Sequence, residues 1–128
     1  MARKTVDKRP PVAIGHVRIE VGDVTEATDA FARLGLRRIF DGDNFAVMEL
    51  RGGTHLVVRQ AEGEVAPGTP APFDLMVDDI DAAKADYKAA GFKTTTTKRG
   101  SIHDSFAIEF PSGHRLTINS SHAGDRPV

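Results

Sequence analysis

The chain has 128 residues, 40% hydrophobic and 27% charged, a size for one domain with a single core and too small for a two-domain dehydrogenase or a (β/α) barrel. Seventeen basic residues against eighteen acidic ones leave a net charge of −1, so no domain-wide field attracts nucleic acid or an anionic membrane. Cysteine is absent, which excludes disulfides, zinc ribbons, iron–sulfur clusters and thiol nucleophiles.

The opening stretch MARKTVDKRPP is polar and basic, and 1–11 is expected to be a mobile tail whose Arg3, Lys4, Lys8 and Arg9 are solvated or grip an acidic partner. It lacks the apolar core of a signal peptide, and no apolar run reaches bilayer-spanning length, so the expected compartment is the cytoplasm and no membrane partner is expected. A strand follows, in which Val17, Ile19 and Val21 alternate with His16, Arg18 and Glu20. Next comes a helix with Asp23 as N-cap, Glu26 three residues on, apolar Val24, Ala27, Phe31 and Leu34, and Gly35 as its stop. Strands are predicted at 36–40, 44–50 and 55–59, joined by turns at Asp41-Gly42 and Gly52-Gly53.

The Pro/Gly-rich AEGEVAPGTPAP at 61–72 reads as a linker. Beyond it Phe73, Leu75 and Val77 alternate like the first strand, and Asp79, Ile80, Ala83, Tyr87, Ala90 and Gly91 repeat the helix pattern. Threonine-rich 92–97, then 105–110 and 115–120 around a turn at Ser112-Gly113, supply three more strands, and 123–128 reads as a second loose tail. An offset of 56 places Val21 on Val77, Asp23 on Asp79, Phe31 on Tyr87 and Gly35 on Gly91. An offset of 60 places Glu49 on Glu109, Gly53 on Gly113 and Leu56 on Leu116, so the second copy carries four more residues between the counterparts of Arg37 and Glu49. Two βαβββ modules, 12–60 and 73–122, are expected.

This pattern resembles the vicinal oxygen chelate superfamily of glyoxalases, bleomycin-resistance proteins, fosfomycin-modifying enzymes and extradiol dioxygenases. The resemblance covers roughly 14–122 and rests on GHVRIEVGDVTEATDAFARLGL, FDLMVDDIDAAKADYKAAGF and FPSGHRLTI. It implies an α+β fold in which the two modules form a curved mixed sheet around a cavity, with helices on the outer face. It also implies pairing into a homodimer, which would cover open sheet edges. In the superfamily a divalent metal is often held by one side chain from each of four strands, and those positions fall here at His16, Val57, Pro72 and Thr117. Only His16 is a strong ligand, so no metal at these positions and no other cofactor is expected. A recruited set of His16, His55 and Asp74, two residues along the same strand faces, is the alternative, and would suit ferrous iron or another octahedral divalent metal.

Alternation assigns the cavity wall to His16, Arg18 and Glu20, to His55 and Arg59, to Asp74 and Met76, and to Arg115, Thr117 and Asn119. The expected substrate-binding residues are therefore His16, Arg18, Glu20, His55, Arg59, Asp74, Arg115 and Asn119. Arginines there would bind a carboxylate or phosphate and a histidine could move a proton; the alternative is an exposed sheet face with ordinary cross-strand ion pairs. His103 and its neighbour Asp104 should point to opposite faces, His122 could close the pocket with Ser121, and His114 in a turn should be solvated. The functional expectation is a protein that binds a small polar or anionic molecule in a sheet-enclosed cavity. The alternative is a metal-dependent lyase, isomerase or dioxygenase of glyoxalase type. Drug sequestration is disfavoured by 6% aromatic residues and no tryptophan, because flat heteroaromatic drugs are held by stacking.

Overall fold

The computed structural model describes residues 6–128; Arg3 and Lys4 of the basic stretch lie outside the described residues. The order is β1 (His16–Val21), α1 (Val24–Leu34), β2 (Arg37–Asp41), β3 (Phe45–Glu49), a 3-10 turn (Arg51–Gly53), β4 (His55–Gln60), β5 (Leu75–Val77), α2 (Ile80–Ala89), β6 (Ser105–Glu109) and β7 (Arg115–Ser120). Four strands form one sheet in the order β1-β4-β3-β2, and three form another in the order β5-β7-β6. In each sheet the module's first and last strands run parallel and the remaining pairs are antiparallel.

Both helices start as the sequence reads. The Asp23 carboxylate accepts from the Glu26 N–H, and Asp79 does the same for Ala82, both at 3.0 Å. Helix α1 stops at Gly35, whose φ of 114° is the left-handed geometry that glycine alone adopts without strain. The apolar face of α1 buries Val24, Ala27, Ala30, Phe31 and Leu34. Against it lie the apolar alternates of the first sheet: Ile19, Val21, Ala46, Met48, Leu56 and Val58.

The halves share one core. Phe31 of α1 reaches beyond its own sheet to stack on Phe110, with ring centroids 4.3 Å apart, and approaches Phe73 at 6.4 Å. The Tyr87 hydroxyl donates to the Leu34 carbonyl at 3.3 Å, and Arg33 Nη1 donates to the Ala90 carbonyl at 2.7 Å, so each helix ties to the other. Burial pushes the Tyr87 phenol above its ordinary pKa.

Two expectations need correction. The segment 92–97 is not a strand. It touches β6 at isolated bridges, Thr94 with Ile108 and Lys98 with Ser105, between which the register slips by one residue. The Thr95 hydroxyl takes the Ala107 N–H at 2.8 Å, so a side chain occupies a donor that a regular ladder would use. The strands that do form make one mixed sheet from each half. Conversely, part of the linker is structural: Ala71 N–H donates to the Arg115 carbonyl at 2.9 Å and Arg115 N–H donates to the Thr69 carbonyl at 2.8 Å, which extends the line of β5 along β7. Among the described residues no helix is long and apolar enough to cross a membrane.

Candidate functional site

The face of each sheet turned away from its helix carries the polar alternates. On the first sheet, the parallel register of β1 and β4 sets His16 beside His55, Arg18 beside Val57 and Glu20 beside Arg59. The His16 and His55 rings meet edge to face with centroids 6.0 Å apart. Antiparallel pairing then places Glu49 opposite His55 and Arg37 opposite Glu49. One polar row thus crosses all four strands, with the Glu49 carboxylate 3.4 Å from His55 Nε2 and 3.3 Å from Arg37 Nη1. Glu49 is not among the residues that local alternation assigns to the cavity wall; its place in the row follows from strand pairing.

On the second sheet, Asn119 Nδ2 donates to the Asp74 carboxylate at 2.9 Å. Asn119 is 9% exposed, so its amide is held by its surroundings and fixes the carboxylate in turn. Asp74 lines a solvent-open groove of about 360 Å³ together with Pro70, Pro72, Phe73, Arg115 and Thr117. Arg115 faces Glu109 across the β6–β7 pair, yet among the described residues the guanidinium makes no ion pair.

A second open groove, of about 560 Å³, lies where β1 meets the 61–72 segment and is lined by Arg18, Glu20, Glu62, Glu64, Pro70, Pro72 and His114. It shares Pro70 and Pro72 with the first groove. Of the three arginines expected on the cavity wall, Arg115 lines the first groove and Arg18 the adjoining one. His114 also departs from expectation. It is 7% exposed rather than solvated, with Nδ1 2.5 Å from Ser112 Oγ, and burial lowers its pKa. The cause is the linker, which folds over the turn: Gly68 N–H donates to the Gly113 carbonyl at 2.8 Å.

The recruited metal set does not assemble. His16 and His55 stand on the first sheet, Asp74 is engaged by Asn119 on the second, and among the described residues no three His, Asp or Glu side chains come together at metal-binding spacing. At the positions implied by resemblance, Val57 and Pro72 carry no side-chain donor, and Thr117 offers one weak hydroxyl. These residues do not fit a divalent metal.

No protein-family model matches the chain, and no curated protein matches it. Solved structures do. A lactoylglutathione lyase from Agrobacterium tumefaciens superposes with a TM-score of 0.72 at 18% identity, over 91% of this chain and 99% of that one. A member of the glyoxalase/bleomycin resistance protein/dioxygenase superfamily from Sphaerobacter thermophilus gives 0.72 at 20% identity, over 86% and 98%. A possible glyoxalase from Bacillus cereus gives 0.64 at 25% identity, over 83% and 96%. The molecule is a small α+β protein of the glyoxalase/bleomycin resistance/dioxygenase fold. That is the fold of the vicinal oxygen chelate superfamily, as the repeated sequence motif implied.

Proposed function

We propose that this protein binds a small molecule carrying an anionic oxygen group in the groove on the second sheet, with Arg115 supplying the charge that a metal supplies elsewhere in the superfamily. The observation that carries the reading is the Arg115 guanidinium, without an ion-pair partner among the described residues, in the same groove as an Asp74 carboxylate fixed by Asn119. A guanidinium offers paired N–H donors to a carboxylate or phosphate, and a charge-assisted contact of this kind is among the strongest available to a shallow site. Asp74 accepts hydrogen bonds only, so the ligand presents a hydroxyl or amine to it while Thr117 adds a further polar contact. Small hydroxy acids and phosphate esters have this chemistry.

The adjoining groove does not share the preference, since Glu20, Glu62 and Glu64 outnumber Arg18 along its wall. A thermal-shift screen with inorganic phosphate, small hydroxy acids and phosphate esters tests the reading. Stabilisation of the wild type that disappears in Arg115→Ala supports it; equal behaviour of the two proteins contradicts it.

We propose further that the chain pairs with a second copy. Ile39, Phe40 and Phe45, each about half exposed, lie on the edge strand β2 and its neighbour β3, and β2 leaves its outer backbone edge unpaired. Light scattering at micromolar concentration should give twice the chain mass of 13.8 kDa; the monomer mass would contradict pairing.

A further inference from the structure

The four residues by which the second half exceeds the first fall in the loop 99–104, between the 92–97 segment and β6. This loop holds His103, whose ring centroid lies 5.9 Å from that of His122, just beyond β7. His103 Nδ1 is buried and has no hydrogen-bond partner among the described residues. A buried polar atom that has lost water and gained no partner is destabilising and uncommon, and a bound cation is one way an imidazole nitrogen in that state is satisfied. We propose that His103 and His122 form a site for a borderline transition-metal ion such as Zn²⁺, Ni²⁺ or Cu²⁺, separate from both grooves.

The spacing suits the ion. With metal–nitrogen bonds of about 2.0–2.1 Å, two imidazoles on one metal hold their centroids roughly 5–6 Å apart. Imidazole nitrogen selects these metals over Mg²⁺ and Ca²⁺, which take oxygen ligands. Both histidines stand on restrained backbone. A Cβ at Gly100 would come within 2.5 Å of the His103 carbonyl oxygen, so only glycine permits the loop's closure. Asp104 accepts from Arg99 at 2.9 Å and from the Gly100 N–H at 3.2 Å, while its own N–H donates to Ser120 Oγ at 2.9 Å. On the other side, Ser121 N–H donates to the Val77 carbonyl at 2.9 Å, and Arg126 Nη2 donates to the His122 carbonyl at 2.9 Å. Asp104 is committed to Arg99, and no third His, Asp or Glu completes the set among the described residues, so water fills the remaining coordination positions. The result is an exchangeable two-histidine site.

Substoichiometric Cu²⁺ added to the full chain should broaden the ring proton resonances of His103 and His122 before those of His16, His55 and His114. In calorimetry with Zn²⁺ at neutral pH, His103→Gln and His122→Gln should each weaken binding on the order of tenfold or more, while His16→Gln leaves it unchanged. Zn²⁺ binding insensitive to both substitutions, or lost only in His16→Gln, overturns the proposal. So does broadening that spares His103 and His122, a readout on the wild type that holds even if a variant fails to fold.

Discussion

Residues 114 and 115 are neighbours in β7 and its turn, yet His114 is buried under the linker while Arg115 stands in an open groove. Their contrast gives a pH-dependent consequence. Burial holds the His114 pKa below its ordinary value, so the native state binds fewer protons than the unfolded chain under mildly acidic conditions. The stability from its neutral ring is present above the ordinary histidine pKa of about 6.5 and is lost as pH falls through the native value. Urea midpoints should therefore drop between neutral pH and about pH 5, and His114→Gln should make that drop shallower. An unchanged pH profile in the variant would show that His114 titrates alike in both states. Turn chemistry around Ser112-Gly113 marked His114 as exposed; its burial depends on a segment forty-odd residues earlier folding back over it, which local sequence does not encode.

At the level of elements, the helix ends are where sequence and structure agree most closely, because caps are local. Asp23→Ala should cost about 1 kcal/mol by leaving the Glu26 N–H without its acceptor. Thermal unfolding against wild type checks the value, and a loss of only a few tenths would mean that solvent replaces the cap. The strands of the first half are legible for a similar reason: alternation and the turns at Gly42 and Gly52-Gly53 place β2, β3 and β4 within a residue or so of their observed ends. The second half is less so. Threonines at 94–97 have strand-forming side chains, but a hydroxyl that bonds the neighbouring backbone competes with the ladder, and Thr95 does so. The row from Arg37 through Glu49 and His55 to His16 was half visible. Alternation gave the two histidines, whereas Glu49 and Arg37 join only through cross-strand register.

Across the whole molecule, the repeat with offsets of 56 and 60 made the two-module architecture readable without any motif for chemistry. What it did not show is that the modules are fused by a common core rather than merely adjacent. Phe31 is fully buried and packs against Phe110 and Phe73 of the other half. Phe31→Ala should cost about 3–5 kcal/mol while keeping a single unfolding transition; two separated transitions would show that the halves unfold independently. The shared core also sets the site, since it fixes β7 and the 69–71 segment so that Arg115, Asp74 and Thr117 meet in one groove. In the proposed function Arg115 anchors an anionic ligand there. Calorimetric titration of wild type and Arg115→Ala with the acid that gives the largest thermal shift tests it most directly. The variant should lose ~1–3 kcal/mol of binding, and wild-type binding should weaken as salt is raised. Equal affinity for the two proteins, with no dependence on salt, would contradict it.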